Sequence, residues 1–426
     1  MRTALLLFTI GNAVIQKCQS VVNLKWIILL LMGLTMNTLI TSKAAAADHI
    51  QIVREVLLES ERFAQPRAIV QTHEGGYVVA GEGGPPPSAW ATRVNAHGEV
   101  QWRHLVSKGS QRRDVRDPQY SGAAMLPDDS AVLCGFKAIE DGKYSRTVGL
   151  LSHIGKTGEV ISERLVYPNN DTTYELVYLR RCISISDGVL IFGTATRVLD
   201  DTTTPRQGKQ FGWIVALDPQ GNVKWEKLLE QPAGDVTSFA MSGPDVAIAS
   251  YSRPPIGSVE AKQINVINSD GVIKAHKVIG GSVMLVQSVI PDPMVRFMPI
   301  GGSTNAYLTT LGPQLQDSDH IAGRAEILAA AQRAYYLPDR SIALFGKQQV
   351  EANATSASIA WLSADLALND HLLLPVFASI QIEDAVPTGK PGEFATVRRV
   401  TPSKTIHGFK DGETRTGAIL AFVQFK

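Results

Sequence analysis

The sequence lacks an excess of charge of either sign. Its 426 residues include 41 Lys and Arg and 40 Asp and Glu. This balance gives no electrostatic reason to expect nucleic acid or an anionic membrane surface as the main partner. Charged residues make up only 19% of the chain and aromatic residues 7%, whereas 36 Gly and 22 Pro are present. This composition is typical of a folded, turn-rich protein and not of a disordered one.

Cysteine is scarce as well. Cys18 lies in an apolar N-terminal segment, which leaves Cys134 and Cys182 in the rest of the chain. Two cysteines in so long a chain do not form a disulfide framework. They either pair with each other, which export would permit, or remain two small buried apolar residues.

Local catalytic and metal-binding motifs are missing. The chain contains no G-x-S-x-G, H-E-x-x-H, G-x-x-x-x-G-K-[ST] or EF-hand pattern. Its nine His are scattered singly and never occur at metal-ligand spacing. The paired carboxylates at 128–129 and 200–201 fall in predicted turns or loops, where solvated acidic residues are the default. We therefore assign no catalytic residue, no metal site and no cofactor, and favour a non-enzymatic role while leaving an enzyme open.

A short apolar run marks the N-terminal segment. Residues 26–40 (WIILLLMGLTMNTLI) follow Lys25 and precede TSKAAAAD. A basic flank, a short apolar core and small residues at the end are typical of a secretory signal peptide. The run is shorter than the roughly 20 residues that a membrane span needs. We predict a signal peptide over 1–47 and a mature protein over 48–426, located in the periplasm or secreted. A retained membrane anchor is the alternative.

One hairpin pattern recurs along the chain. It is clearest in WATRVNAHGEVQW (90–102) and WIVALDPQGNVKW (213–225), and related stretches span 150–166 and 264–278. The turns end in Gly98, Gly158, Gly221 and Gly271. Glycine suits these positions because short hairpin turns require a positive φ. Weaker copies without the turn glycine span 306–316 and 359–374.

A second element precedes each hairpin. It is a polar turn followed by an apolar strand, with copies at 74–81, 128–135, 186–193, 243–250, 293–301, 339–346 and 391–399. One more short strand precedes each copy, so a unit consists of four strands. The one helical candidate is 321–334.

Four antiparallel strands repeated every 40–60 residues predict an all-β fold, a single β-propeller. We predict seven four-stranded blades, with six or eight as alternatives. The last unit ends with its third strand at 416–426, and residues 50–60 are available to supply the missing outer strand. The N-terminal strand would thus close the ring, with Val53, Val56 and Leu58 including residues buried against the sheet.

The patterns GGYVVAG…VNAHGEVQW and LDPQGNVKW resemble exported bacterial β-propellers of the pyrroloquinoline-quinone-repeat type. That group includes quinoprotein dehydrogenases and the non-catalytic propeller of the outer-membrane assembly machinery. A quinoprotein enzyme would need an adjacent Cys pair and a Ca²⁺ site, and this sequence has no Cys-Cys. The resemblance therefore favours the non-catalytic branch. Because Trp102 and Trp225 recur at equal positions, we interpret them as packing residues and not as a sugar-binding platform.

Long polar loops separate the strands of the first four units, at 81–89, 107–122, 137–146, 196–212 and 251–263. In a propeller such loops emerge on one face. Arg and Tyr are residue types that anchor protein interfaces. The predicted binding residues are Arg112, Arg113, Arg116, Tyr120, Tyr144, Arg206 and Lys209. Solvated loops without a partner are the alternative.

These observations predict an exported propeller, expected to be a monomer, that binds another exported or envelope protein as a scaffold or inhibitor. Two other functions stay open. One is an enzyme acting on a carbohydrate or other small substrate in the central funnel, because propeller enzymes take their residues from several blades. The other is a surface carbohydrate-binding or adhesion module.

Overall fold

The structure of the protein, a computed structural model, describes most of the chain after the N-terminal segment. The described residues are 49–59, 64–83, 88–107, 118–141, 144–200, 207–229, 236–242, 244–251, 262–279, 282–285, 287–288, 296–300, 306–311, 317–323, 331–351, 354–364, 367–374, 381–400 and 417–426. The predicted signal peptide lies outside them, so export stays a prediction. No helix within these ranges is long and apolar enough to cross a membrane.

Strands dominate the described residues, which confirms the all-β prediction. They form groups of four, numbered here in chain order. The first strand is β1 (Ile50–Glu59), which belongs to the last group. Group one contains β2 (Gln65–Gln71), β3 (Tyr77–Gly83), β4 (Ser88–Val94) and β5 (Val100–Ser107).

Groups two and three share one eight-stranded sheet. A parallel pair between Thr147 and Leu176 joins them, and a 3-10 turn at Pro168–Asn170 connects them along the chain. Group two contains β6 (Gln119–Met125), β7 (Ala131–Asp141), β8 (Tyr144–Ile154) and β9 (Val160–Val166). Group three contains β10 (Tyr174–Ile185), β11 (Gly188–Asp200), β12 (Gln207–Leu217) and β13 (Val223–Leu229).

The remaining groups follow the same antiparallel order. Group four contains β14 (Val236–Ser242), β15 (Asp245–Tyr251), β16 (Lys262–Ile267) and β17 (Ile273–Ile279). Group five contains β18 (Ser282–Leu285), followed by the short β19 (Gln287–Ser288), and then β20 (Arg296–Ile300), β21 (Ala306–Leu311) and β22 (Asp317–Gly323). Group six contains β23 (Ala331–Tyr336), β24 (Ile342–Glu351), β25 (Ala354–Leu362) and β26 (Leu368–Leu373), and β19 pairs in parallel with β23. Group seven contains β27 (Gln381–Pro387), β28 (Glu393–Val400), β29 (Gly417–Phe425) and β1.

The helical candidate at 321–334 is wrong at both of its described ends. Residues 321–323 belong to β22, and residues 331–334 belong to β23. Both segments pair with neighbouring strands, which satisfies their backbone groups without a helix.

The N-terminal strand β1 pairs antiparallel with β29, as the sequence predicts. Ile50 lies opposite Phe425 and Val56 opposite Leu420. Leu58 is buried and Val56 packs against the core, whereas Val53 is 52% exposed. The prediction that these three positions include buried residues is confirmed, and Val53 is the one whose side chain points away from the core that holds Leu58.

Apolar side chains form cores shared between neighbouring groups. One core contains Trp102 of group one and Leu133 of group two, a second contains Leu151 of group two and Trp213 of group three, and a third contains Phe192 of group three and Ile248 of group four. The rings of Phe345 and Phe394 pack at a tilt of 52° between groups six and seven, with centroids 5.1 Å apart.

Group seven packs in turn on group one. Leu420 and Phe422 of β29 share a core with Tyr77 of β3, and the rings of Tyr77 and Phe422 lie 5.5 Å apart. No sheet formed by the described strands closes on itself. The number of blades and the closure of a ring therefore stay predictions.

The hairpin glycines adopt the predicted conformation. Gly98, Gly158, Gly221 and Gly271 have φ between 78 and 96°. In the turn before Gly221, the Asp218 side chain accepts hydrogen bonds from the backbone N–H groups of Gln220 and Asn222. Asn95 makes the same bonds in group one. Asn can replace Asp here because the turn needs an acceptor oxygen and not a charge.

Candidate functional site

Four of the seven predicted binding residues lie outside the described residues. They are Arg112, Arg113, Arg116 and Arg206. Their role in binding stays a prediction.

Tyr120 is a core residue, which corrects its assignment to the surface. It lies in β6 with 0% exposure. Its hydroxyl is 2.6 Å from Ser152 Oγ and 3.1 Å from His104 Nε2. Burial raises the pKa of Tyr120. Because β6 begins at Gln119, Tyr120 lies within the sheet. Side chains alternate between the two faces of a strand, and that of Tyr120 points into the core between groups one and two.

Lys209 and Tyr144 lie on long hairpins. The strands β7 and β8 stay paired out to Asp141 and Tyr144, and β11 and β12 out to Asp200 and Gln207. The prediction of loops at 137–146 and 196–212 is therefore wrong for much of their length, which is strand. Antiparallel pairing satisfies the backbone groups of these residues. Lys209 is exposed on β12, with Nζ 4.9 Å from the centroid of the Phe211 ring.

A charged cluster that sequence reasoning missed joins the first strands of four groups. It consists of Arg67 on β2, Arg181 on β10, Arg333 on β23, and Glu383 and Asp384 on β27. We call these five residues the first-strand cluster. Each strand brings its residue from a distant part of the sequence, so no local motif announces it.

Asp384 is the centre of the first-strand cluster. Its Oδ1 accepts a hydrogen bond from Arg333 Nε at 2.5 Å, and its Oδ2 accepts one from the Ile69 backbone N–H at 3.2 Å. Arg181 Nη1 lies 3.6 Å from the same Oδ2. One buried carboxylate is thus shared by two guanidinium groups, and Arg333 holds it at the shorter distance.

Glu383 faces a more polar surrounding. Its oxygens accept hydrogen bonds from Gln65 Nε2 at 3.1 Å and Gln381 Nε2 at 3.3 Å, and Arg67 Nη1 lies 3.7 Å away. Burial raises the pKa of Glu383, and the Arg67 cation opposes that rise. Carboxyl groups that act as general acids commonly have a raised pKa.

A serine–histidine pair in group two resembles a nucleophile and its base. Ser130 Oγ is 2.8 Å from His153 Nε2. Ser130 is only 1% exposed, so a substrate cannot reach it. In group six, Ser341 Oγ accepts a hydrogen bond from Trp361 Nε1 at 2.7 Å, at the equivalent strand position. Because Trp cannot act as a base, the repeated arrangement is structural.

The two repeated tryptophans contact the next hairpin turn, which confirms their packing role. Trp102 Nε1 donates to the carbonyl of Lys156 at 3.1 Å, and Trp225 Nε1 donates to that of Ser269 at 2.9 Å. Each acceptor lies two residues before a turn glycine, Gly158 or Gly271. A Cβ at Gly158 would lie only 2.7 Å from Trp102 Cβ, and one at Gly271 would lie 3.0 Å from the Trp225 ring, so both glycines leave room for the tryptophan.

Cys134 and Cys182 are buried free thiols on β7 and β10. Burial raises the pKa of Cys134, and the neighbouring Cys182 adds to the effect. Their location fits the interpretation as small buried residues. Among the described residues, no group of three or more His, Cys, Asp or Glu side chains is placed to hold a metal ion.

No protein-family profile and no curated protein matches the chain. Solved structures of low identity are similar to it. The haemagglutinin-neuraminidase ectodomain of parainfluenza virus 5 is 8% identical over 100% of both chains, with a TM-score of 0.42. A neuraminidase-like protein from an H18N11 virus of a flat-faced bat is 7% identical over 90% of this chain and 95% of its own, with a TM-score of 0.40.

A luciferin-regenerating enzyme is 10% identical over 70% of this chain and 90% of its own, with a TM-score of 0.38. These three proteins are β-propellers. At TM-scores below 0.5, the likeness indicates neither the number of blades nor the function.

Proposed function

We propose that the seven strand groups are the blades of one β-propeller, closed by β1. Support comes from Arg54, whose Nη2 donates to the carbonyl of Ala96 at 2.8 Å. Ala96 lies two residues before the turn glycine Gly98. In the turns of later groups, Trp102 and Trp225 donate to the carbonyl of the residue at this same position before the glycine. The strand β1 thus contacts the hairpin of group one as an outer strand contacts the next blade.

We further propose that this propeller, of the non-catalytic pyrroloquinoline-quinone-repeat-like type, is exported and binds another exported or envelope protein as a scaffold or inhibitor. One observation carries the proposal: the hairpins β7–β8 and β11–β12 extend in adjacent groups and present exposed Lys209. Pairing stiffens these hairpins, so little ordering entropy opposes binding. The predicted Arg112, Arg113 and Arg116 precede the same two groups in the chain.

The test is capture of a partner from periplasmic extract by the mature protein, followed by measurement of affinity with the purified partner. Replacing Arg112, Arg113 and Arg116 together by Ala, or Lys209 by Ala, is expected to weaken binding tenfold or more if one of them is an anchor. The matched control is Lys347→Ala, an exposed lysine on β24 of group six. Equal affinity of all these variants would exclude the hairpin surface.

A second candidate function is an enzyme acting on a carbohydrate or other small substrate beside the first-strand cluster. Burial raises the pKa of Glu383, and this is the direction of shift that general acids need. The substitution Glu383→Gln keeps the shape and removes the acid. If it leaves folding intact and abolishes hydrolysis of a sugar substrate, the enzyme replaces the binding protein as the preferred function.

A further inference from the structure

The pairing of Arg181 is incomplete. Its Nη1 lies 3.6 Å from Asp384 Oδ2 and donates to the Arg67 carbonyl at 3.3 Å, both longer than usual for a charged pair. Burial, together with the Arg333 cation, lowers the pKa of Arg181 to about 10. A largely buried cation is costly unless a close anion compensates it, and Asp384 is already bound more tightly by Arg333.

Charge around the cluster is also unbalanced. Besides its five residues, Glu82 binds Arg67 at 2.5 Å and Arg399 Nη1 donates to Gln65 at 3.1 Å. Among the described residues of this set, four guanidinium groups therefore face three carboxylates, a net charge of +1. The Nε atom of Arg399 is buried and has no hydrogen-bond partner among the described residues. A single additional negative group would complete the set.

Exposure separates the arginines by role. The Arg333 side chain is 7% exposed, and its short bond to Asp384 fixes β23 to β27. Arg181 is 20% exposed and Arg67 32%. These two more exposed arginines are neighbours, since Arg181 Nη1 donates to the Arg67 backbone carbonyl. They are placed to meet a ligand, whereas Arg333 is placed to hold the sheets.

We infer that Arg181 and Arg67 form a binding site for a carboxylate ligand at the first-strand cluster. The planar guanidinium fork of Arg181 matches a carboxylate in shape, and a monoanion matches the net charge of +1. Arg67 already donates to Glu82 through Nε and Nη2 and adds its positive charge beside the ligand. A phosphate dianion fits less well, because its second charge would face Glu82 and Glu383. The site goes beyond the proposed protein interface and shares no residue with it.

Isothermal titration calorimetry on the mature protein tests the site. The small-acid probes are acetate and glucuronate, with glucose as the uncharged counterpart of glucuronate. N-acetylglycine represents a polypeptide C-terminus, with N-acetylglycinamide as its uncharged counterpart. We expect the acids to bind and the neutral molecules not to bind. The tighter of the two acid types identifies a small acid or a polypeptide end as the source. Tighter binding of inorganic phosphate than of every carboxylate would overturn the ligand class.

Substitution localises the site. Arg181→Gln is expected to weaken carboxylate binding at least tenfold and Arg181→Lys to weaken it less. The control is Arg197→Gln on β11, where the arginine side chain is 50% exposed and its Nη2 lies 4.0 Å from Asp171 Oδ2. This variant is expected to bind carboxylates like the parent. Should Arg181→Gln not fold, Arg67→Gln serves instead because its side chain is more exposed. Equal binding by the parent and the folded variants, or no carboxylate binding by the parent, would contradict the inference without bearing on the hairpin surface.

Discussion

Arg93 and Asp129 form a buried ion pair between groups one and two. Arg93 Nη2 lies 2.5 Å from Asp129 Oδ2, and the two side chains are 2% and 7% exposed. Arg93 Nη1 also donates to the Asp129 carbonyl at 2.8 Å, and Asp129 Oδ1 accepts from the His73 backbone N–H at 2.9 Å. The pair fixes the turn before β7 to the strand β4. Asp129 is therefore not the solvated turn residue that its sequence suggests.

Removal of the carboxylate is expected to be strongly destabilising. Asp129→Ala leaves the buried Arg93 cation with only the exposed Glu74 carboxylate, 3.4 Å from its Nη2. Breaking a buried pair by removing one partner costs about 3–5 kcal/mol. The free energy of unfolding from urea titration measures the effect. The control is Asp187→Asn, which removes a surface pair with Lys224 at 2.5 Å. Exposed pairs are worth about 0–1 kcal/mol, so equal losses in the two variants would contradict the burial of Asp129.

Acid is expected to weaken the same contact. Burial alone would raise the pKa of Asp129, but its bonds to the His73 backbone and to Arg93 prevail and lower the pKa below 3.8. Because the pKa of Asp129 is lower in the folded protein than in the unfolded chain, its ionised carboxylate stabilises the fold. This stabilisation is complete above pH 3.8, the usual pKa, and is lost as the pH falls through the lowered pKa of the folded protein. The parent should therefore lose more stability between pH 5 and 2 than Asp129→Asn. Parallel curves for the two proteins would show that Asp129 does not contribute.

The repeat was predictable from sequence and the ionic contacts were not, for a physical reason. A turn such as that at Asp218 and Gly221 is specified by neighbours within four residues, and each copy repeats the same local requirement. The partners Ile69 and Asp384 are 315 residues apart. Only the packing of group seven on group one brings them together. The prediction that Tyr120 is a surface binding residue is wrong for a related reason. Whether its ring is buried depends on where β6 begins, and the local sequence does not specify that position.

Trp102 is expected to contribute through packing and one hydrogen bond. Trp102→Ala should cost about 3–5 kcal/mol, as for other large buried aromatic residues. Trp102→Phe keeps most of the packing but leaves the Lys156 carbonyl without its donor, which costs about 1 kcal/mol. The free energy of unfolding from urea titration should decrease from the parent to Trp102→Phe and then to Trp102→Ala. Leu105→Ala is the control, since this side chain is 68% exposed and should change stability by no more than about 0.5 kcal/mol.

The thiols of Cys134 and Cys182 should be present and unreactive in the folded protein. Both are buried, and burial raises the pKa of Cys134, so little thiolate reaches a reagent. We expect Ellman's reagent to detect no thiol in the folded mature protein and both thiols in urea. Intact mass without reductant gives an independent reading. A mass lowered by two hydrogens would show a disulfide and contradict the prediction.

Loss of β1 is expected to destabilise group seven and cause association. Deleting 48–60 removes the antiparallel partner of β29, the buried Leu58 and the bond from Arg54 to Ala96. The freed backbone of 417–425 then forms an exposed strand edge, which pairs readily with other chains. Size-exclusion chromatography should show oligomers, and urea unfolding should lose cooperativity.

Adding a synthetic peptide of residues 49–59 to the deletion variant separates the loss of β1 from general damage. The peptide should restore the monomer, because it supplies the missing strand in the same register. A peptide in which Val56 and Leu58 are replaced by Asp should not restore it, since both side chains join the core of groups one and seven. A deletion variant as monomeric and stable as the parent would place the closing contact elsewhere and remove the main support for ring closure.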